Sequence, residues 1–242
     1  MALTDNLLAF YKLNDLTDSS GNNRTLTNNG NVSFASGKIG NAAVFDGNSQ
    51  LTIPSTFWGG LEGVTVSTWV KIDPNIDPSK SGMLFSIWNN GNGGGPLLVD
   101  YSAGNDKLYF VFPTTDGGWI DFTGVELHDG TWKHVVFVYN GSTARFFVDN
   151  QQVFSREQTG LTIADQNGVP FVIGGLDDDL SRSFLGEIDA VGIWNRALTE
   201  PEIATLYNSG TGLELDGAAP VPSSAVKFVD GVKLLGKTKF VS

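Results

Sequence analysis

Apolar and polar residues alternate with a period of two along most of the chain, which is typical of β-strands with one buried face. The clearest run is Val64–Ile72, where Val64, Val66, Val70 and Ile72 share one side. Similar runs occur at 84–88, 96–101, 107–112 and 171–173. Clusters of glycine, asparagine and aspartate separate the runs. This spacing predicts an all-β protein built from many short strands.

A hairpin is predicted between residues 131–139 and 143–149. The intervening Asn140-Gly141-Ser142 supplies residue types that tolerate the positive φ of a tight turn. The first strand of this hairpin is apolar on both faces, so we expect both of its faces to be covered. A strand of this kind favours two stacked sheets, as in a sandwich or jelly roll. The two faces carry Trp132, Val136 and Val138 on one side, and Val135, Phe137 and Tyr139 on the other.

One short helix is predicted near residues 200–209. Thr199 is a capping residue, Glu202 completes a capping box three residues later, and Pro201 is tolerated in the first turn. Gly210 is expected to end the helix. We expect this helix to close one end of the sandwich with an apolar stripe of Ile203, Leu206 and Tyr207.

Composition and charge exclude several classes of protein. The 242 residues include no cysteine, which excludes a disulfide scaffold and a cysteine-based zinc site. The formal net charge of −11 disfavours nucleic-acid binding, since that affinity comes largely from basic side chains. No apolar run approaches the roughly 20 residues of a membrane span. Residues 1–6 lack the basic and apolar regions of a secretory signal, so we expect a location reached without such a leader.

The C-terminal segment differs from the rest of the chain. A jelly-roll domain is predicted over 1–216, a Pro/Ser linker over 217–225, and a basic hairpin or anchor segment over 226–242. Residues 225–242 hold four lysines and one aspartate, and Asp230-Gly231 predicts a turn. A hairpin of this length has little stability by itself. We therefore expect it to pair with its own domain, with further copies of the chain, or with another protein. The residues predicted to contact a partner are Lys227, Phe228, Lys233, Leu234, Lys237 and Phe240.

Several motifs in a fixed order resemble the laminin-G-like domains of the concanavalin A-like lectin/glucanase superfamily. They cover about residues 5–213. The motifs are Asp18–Asn23, Gly37–Gly47, Val66–Val70, Trp132–Val135, Ile173–Gly175, Phe184–Asp189 and Ile193–Leu198. The resemblance implies a jelly roll of two stacked antiparallel sheets, one of them concave. It leaves the function open, because this fold serves lectins, hydrolases and adhesion domains alike.

A glycoside hydrolase is the less favoured interpretation. Retaining glucanases of the superfamily carry E-x-D-x-x-E on one strand, because nucleophile and acid must flank the scissile bond. Glu187 and Asp189 begin this pattern, but Gly192 stands where the second glutamate would be. His134 shares a strand face with Trp132, which favours a core histidine over a catalytic base. The sequence therefore predicts no catalytic residue.

Calcium is the metal that an acidic, asparagine-rich loop protein can hold, since it takes six to eight oxygen ligands. The resemblance implies a structural calcium at Asp189, with Asp15 or Asp46 beside it. The alternative is that Asp189 accepts hydrogen bonds from backbone amides of a neighbouring strand. A second candidate is Asp177-Asp178-Asp179, whose alternative is a solvated run of charge.

Aromatic residues beside polar loops are the candidates for ligand contact, since a sugar offers apolar C–H faces and a rim of hydroxyls. Trp69, Trp132 and Trp194 fall on the family's motif positions and are expected in the core. The predicted ligand-binding residues are Trp58, Trp88, Asn90, Trp119 and Asp121. For each tryptophan the alternative is that it caps the edge of the core.

These features lead to one functional hypothesis with two alternatives. The hypothesis is a non-catalytic adhesion or glycan-binding module of the kind displayed on bacterial surfaces and on tailed-phage virions, as a capsid decoration, head fibre or tail adhesin. Its partners would be a host-surface glycan, virion or other assembly proteins through the C-terminal segment, and further copies of the chain. The alternatives are a structural shell or fibre protein without a sugar ligand and, less favoured, a glycoside hydrolase.

Overall fold

The computed structural model describes most of the chain up to residue 217. The described residues are 1–53, 61, 63–76, 81–87, 97–102, 104, 107–111, 120–123, 125–157, 159, 169–176 and 180–217. Within these ranges, no helix is long and apolar enough to cross a membrane. The predicted linker at 217–225, apart from its first residue, and the anchor segment at 226–242 lie outside them, so both stay predictions.

Among the described residues, fifteen strands form two antiparallel sheets, which confirms the predicted jelly-roll fold. Sheet A has the order β13-β12-β11-β6-β15-β4-β3, with β1 also pairing with β15. Sheet B has the order β10-β9-β8-β7-β14-β5-β2. The strands of sheet A are β1 (Leu7–Tyr11), β3 (Ser33–Ser36), β4 (Asn41–Asp46), β6 (Val64–Ile72), β11 (Lys133–Tyr139), β12 (Thr143–Val148), β13 (Gln151–Glu157) and β15 (Leu185–Trp194). Those of sheet B are β2 (Thr27–Asn29), β5 (Gln50–Ile53), β7 (Ser81–Ile87), β8 (Leu97–Ser102), β9 (Lys107–Val111), β10 (Ile120–Thr123) and β14 (Phe171–Ile173).

The main core lies between the two sheets. Strand β6 contributes Val64, Val66, Val70 and Ile72 to it, which are the residues that the alternation pattern places on one side. Trp69, on the other side of β6, belongs to a second cluster on the outer face of sheet A. Sheet A is therefore buried on both faces over part of its area.

Strand β11 is covered on both sides, as its sequence predicts. Its inner face packs in the main core through Val135, Phe137 and Tyr139. Its outer face adds Val136 and Val138 to the second cluster. The predicted hairpin is also present, with Tyr139 of β11 opposite Ala144 of β12.

The helix α1 (Glu200–Tyr207) covers the outer face of sheet A through Ile203 and Leu206. The Glu202 carboxylate accepts hydrogen bonds from the backbone N–H of Thr199 at 2.8 Å and from its hydroxyl at 2.9 Å. Arg196 donates to the same carboxylate and lowers the pKa of Glu202 to about 2. The helix ends before the expected Gly210, because Asn208 already adopts the left-handed conformation with φ of 48°.

Candidate functional site

One end of sheet B collects the strand ends that border the predicted ligand-binding segments. Strands β5 and β7 run in the same direction, since both pair antiparallel with β14 between them. Strands β7 and β9 end, and strands β8 and β10 begin, at this same end of the sheet. We call it the loop end of sheet B and define it by Ile53, Ile87, Leu97, Val111, Ile120 and Phe171.

The predicted ligand-binding residues adjoin this loop end in the sequence. Trp88 directly follows Ile87, and Trp119 directly precedes Ile120. Neighbouring strands lie about 4.8 Å apart, so the strand of Ile53 is about 10 Å from that of Ile87, and the strand of Ile87 is about 14 Å from that of Ile120. Trp58, Trp88, Asn90 and Trp119 themselves lie outside the described residues, and their contact with a ligand stays a prediction.

Asp121 is the one predicted ligand-binding residue within a described strand. It stands opposite Tyr109 in the pairing of β10 with β9, and Tyr109 stands opposite Asp100 of β8. Val99 and Tyr101, which flank Asp100, belong to the main core. The pairing register therefore places Asp100 and Tyr109 on the outer face of sheet B, and the contact of Asp121 with a ligand stays a prediction.

An ion pair that the sequence analysis did not predict lies on this outer face. The Arg182 guanidinium donates to the Asp100 carboxylate at 2.8 Å, with Asp100 4% exposed and Arg182 34% exposed. Close by, the Ser86 hydroxyl donates to the carbonyl of Gly175 at 2.8 Å. Both contacts hold the segment between β14 and β15 against sheet B. Because Asp100 and Arg182 are 82 positions apart, no local pattern could have identified the pair.

The two histidines have structural partners. His134 is buried beside the rings of Trp69 and Tyr207, which also stack on each other, and its Nε2 lies 2.9 Å from the Ser67 hydroxyl. Burial lowers the pKa of His134 to about 3, so the ring is neutral at physiological pH. This environment agrees with the predicted core histidine. The Nδ1 of His128 lies 2.6 Å from the Tyr101 hydroxyl.

The incomplete glucanase pattern lies on β15, within sheet A. Glu187 forms an ion pair with Lys71, with 2.8 Å between Nζ and Oε1. Asp189 is fully buried. A Cβ built at Gly192 would lie 2.3 Å from the ring of Trp194, so this strand has no room for a second carboxylate. The pattern therefore does not form a hydrolytic pair on this strand.

Asp189 shows the hydrogen bonding of the structural alternative. Its Oδ2 accepts a hydrogen bond from the backbone N–H of Ile39 at 2.8 Å. Its Oδ1 is buried and has no hydrogen-bond partner among the described residues. Burial raises the pKa of the Asp189 carboxyl to about 7, although the hydrogen bond from Ile39 acts in the opposite direction. The hydrogen bond from Ile39 therefore occupies one carboxylate oxygen, and a calcium ion at Asp189 stays a prediction.

Asp46 and Asp15 each serve a local turn. The Asp46 carboxylate accepts hydrogen bonds from the backbone N–H of Asn48 and the hydroxyl of Ser49. Asp15 accepts from the backbone N–H and the hydroxyl of Thr17. In the part of the chain that the structure describes, no three acidic or histidine side chains are grouped to hold a metal ion. Asp177–Asp179 lie outside that part, and calcium stays a prediction.

Comparison with known proteins gives a family match and structural neighbours. A model described as the concanavalin A-like lectin/glucanases superfamily matches residues 45–204. No curated protein sequence gives a significant match. The similar structures described next share less than 25% sequence identity with this chain, so their likeness shows the fold alone.

One similar structure is domain 4 of AbnA, a GH43 extracellular arabinanase from Geobacillus stearothermophilus, in complex with arabinotriose. It is 22% identical, with a TM-score of 0.63, over 86% of this chain and 98% of that domain. The binding domain of Paraclostridial Mosquitocidal Protein 1 is 21% identical, with a TM-score of 0.69, and the match covers 86% of this chain and 53% of that one. The binding domain of Botulinum Neurotoxin DC in complex with SialylT is 13% identical, with a TM-score of 0.64, and the match covers 86% of this chain and 52% of that one. The chain thus spans about half the length of the toxin binding domains.

Proposed function

The chain belongs to the concanavalin A-like lectin/glucanase superfamily, and from this premise we propose that it is a non-catalytic adhesion module that binds glycans at the loop end of sheet B. The observation that carries the proposal is the position of three strand ends. Ile53, Ile87 and Ile120 lie at the same end of one sheet, and a tryptophan lies within five residues of each in the sequence.

The residue types that follow or precede these strand ends in the sequence suit a saccharide. Aromatic side chains bind its C–H faces, while asparagine and aspartate side chains bind its hydroxyls. Asn90 follows Trp88 by two residues, and Asp121 follows Trp119 by two residues. Two of the structural neighbours, the arabinanase domain and the neurotoxin binding domain, are complexes with arabinotriose and with SialylT, which supports the proposal.

Truncating the tryptophans tests this site. We expect Trp88→Ala and Trp119→Ala each to weaken glycan binding about tenfold or more, which is the effect of losing a central aromatic contact. Binding is measured on a glycan array and then by calorimetry with the best ligand. Phe154→Ala is the matched control, because Phe154 is an aromatic residue on the edge strand β13 of the other sheet.

Two outcomes would contradict the proposal. Glycan binding that survives both tryptophan changes would place the ligand elsewhere on the protein. A folded protein that binds no glycan on the array would favour the structural shell or fibre protein.

We further propose that residues 226–242 attach the domain to a larger assembly, with a virion surface as its location. The support is a contrast of charge, because the segment is rich in lysine while the whole chain carries a net charge of −11. Opposite charges speed association and orient the partners. A segment of this size can also pair with another chain by strand addition.

Deletion of residues 218–242 tests the attachment. We expect the deleted protein to keep its melting temperature, because the fifteen strands that the structure describes all lie before residue 218. We expect it to lose self-association or binding to its assembly, measured by size-exclusion chromatography with light scattering and by co-sedimentation. An unchanged oligomeric state together with unchanged assembly would contradict an anchoring role.

A further inference from the structure

The outer face of sheet A holds an open cleft of about 500 Å³ that the proposed function does not use. We call it the sheet A cleft. Its volume falls within the range of roughly 300–1,000 Å³ of small-molecule sites. The side chains that matter for binding are Val44, Lys71, Asp73, Pro74, Leu185 and Glu187.

Strand pairing places the central residues of the cleft in one row. Glu187 of β15 stands opposite Val44 of β4 on one side and opposite Lys71 of β6 on the other. Their sequence neighbours Phe45, Val70 and Ile188 belong to the main core. Val44, Lys71 and Glu187 therefore face away from the core.

The helix α1 covers a different part of the same face. It packs through Ile203 and Leu206 onto the cluster that contains Trp69 and Trp194. The row of Val44, Glu187 and Lys71 lies outside this cluster, and the Lys71 and Glu187 side chains are 36% and 23% exposed. The cleft thus contains an ion pair that solvent can partly reach, and it lies beside the packed cluster of Trp69 and Trp194.

The ion pair at the centre leaves hydrogen-bonding groups for a ligand. Lys71 Nζ lies 2.8 Å from Glu187 Oε1. An ammonium group has three N–H donors and a carboxylate has two oxygens, so donors of Lys71 and an oxygen of Glu187 remain available side by side. A donor next to an acceptor matches a vicinal diol, in which one hydroxyl accepts from the ammonium and the other donates to the carboxylate.

The charged side chains of the cleft disfavour anions and metal ions as ligands. The Glu187 and Asp73 carboxylates disfavour an anion, and the Lys71 ammonium disfavours a metal cation. Asp73 is also engaged locally, since it accepts a hydrogen bond from the backbone N–H of Asn75 at 2.8 Å. Val44, Leu185 and Pro74 supply apolar contact for C–H groups. A neutral ligand with hydroxyls on one side and C–H groups on the other fits this combination.

We propose that the sheet A cleft is a second binding site, which takes a neutral saccharide through a vicinal diol held by Lys71 and Glu187. The site is independent of the loop end of sheet B, because it lies on the other sheet. Two separate sites would let one domain bind two glycan chains, or two points of one chain, and so bind more tightly than through either site alone.

Titration of the full-length protein with arabinotriose and with maltotriose, followed by NMR, tests the cleft. We expect both sugars to shift the amide signals of Val44, Lys71, Leu185 and Glu187 at concentrations up to about 10 mM, a weak affinity typical of few contacts. Lys71→Met and Glu187→Gln should each weaken this binding tenfold or more. Per-O-methylated arabinotriose, which has no free diol, should not shift these signals.

Controls separate the cleft from a merely structural ion pair and from the loop end of sheet B. Lys12→Met removes another lysine of an ion pair, with Asp216 at 2.7 Å, and should leave sugar binding unchanged. Trp88→Ala should also leave the shifts in the cleft unchanged. The melting temperature of each variant shows whether the fold is intact.

Three results would overturn the second site. The first is the absence of shifts at the cleft residues with both sugars. The second is unchanged affinity in both Lys71→Met and Glu187→Gln. The third is loss of all sugar binding in Trp88→Ala, which would leave the proposed function intact and assign the binding to the loop end of sheet B.

Discussion

The Asp189→Asn variant is expected to be more stable than the wild-type protein above neutral pH. Burial raises the pKa of this carboxyl from 3.8 to about 7. The folded protein therefore binds the proton more tightly than the unfolded chain. The stability from this group is fully present below about pH 4 and is lost as the pH rises through 7. Over that window the loss amounts to up to about 4 kcal/mol.

The Asp189→Asn change removes the ionisable group and keeps an oxygen that accepts a hydrogen bond. Its side-chain oxygen can still accept from the backbone N–H of Ile39, but the residue has no proton to lose. We therefore expect the free energy of unfolding to fall between pH 4 and pH 8 more in the wild type than in the variant. Urea unfolding across this range measures the difference.

Asp46→Asn is the control for this experiment. Hydrogen bonds from Asn48 and Ser49 lower the pKa of the exposed Asp46, so its contribution has the opposite sign and is lost as the pH falls. Wild-type and Asp189→Asn curves that run parallel would contradict a proton held by Asp189.

The same pair of proteins tests calcium. If an ion binds Asp189, chelation should lower the melting temperature of the loaded wild type and leave Asp189→Asn unchanged, since a ligand of the native state stabilises it by mass action. No shift in wild-type protein shown by elemental analysis to contain calcium would remove the metal from this position.

Completing the glucanase pattern by Gly192→Glu is expected to unfold or severely destabilise the protein. Gly192 lies on β15 opposite Ser67 of β6, and its Cβ would lie 2.3 Å from the Trp194 ring and 3.0 Å from that of Phe10. Trp194 cannot easily move, because it is fully buried and its indole N–H donates to the carbonyl of Leu3 at 2.6 Å. Overpacking alone costs about 1–3 kcal/mol.

A buried carboxylate adds to that cost, because a charge without a partner loses its hydration. Native proteins are stable by only about 5–15 kcal/mol, so the sum is a large fraction of the total. We expect Gly192→Ala to lower the free energy of unfolding by about 1–3 kcal/mol, and Gly192→Glu to lower it further. Chemical denaturation followed by tryptophan fluorescence measures both.

Gly63→Ala is the matched control, since the nearest atoms to its Cβ lie at 3.4 Å and its backbone is not left-handed. It should change the stability by less than about 0.5 kcal/mol. A Gly192→Glu protein with wild-type stability would show that Trp194 yields easily. Hydrolysis of a glycan by that variant would revive the hydrolase interpretation.

Local patterns were sufficient to predict several of the strands and the helix. Strand β6 matches its predicted bounds, because alternation over nine residues identifies a buried face without knowledge of the partner strand. The capping box of α1 involves residues only three positions apart, so the sequence shows both members. The helix end differs from the prediction, since Asn208 adopts the left-handed conformation two residues before the expected glycine.

The candidate sites depended on pairing between distant segments. The sequence indicated tryptophans next to polar loops, but only the strand order shows that Ile53, Ile87 and Ile120 share one end of sheet B. It also drew attention to Glu187 as part of a hydrolase pattern, whereas the structure pairs this residue with Lys71, 116 positions away.

For this protein, the sequence by itself determined the all-β class, the two-sided burial of β11, the capped helix and the family. Each of these follows from residues close together in the chain, or from motifs in a fixed order. The tertiary structure alone decided the Asp100–Arg182 pair, the burial of Asp189 and the sheet A cleft. The physical reason is that strand register sets which distant side chains meet, and burial sets their protonation, and neither is encoded in local periodicity.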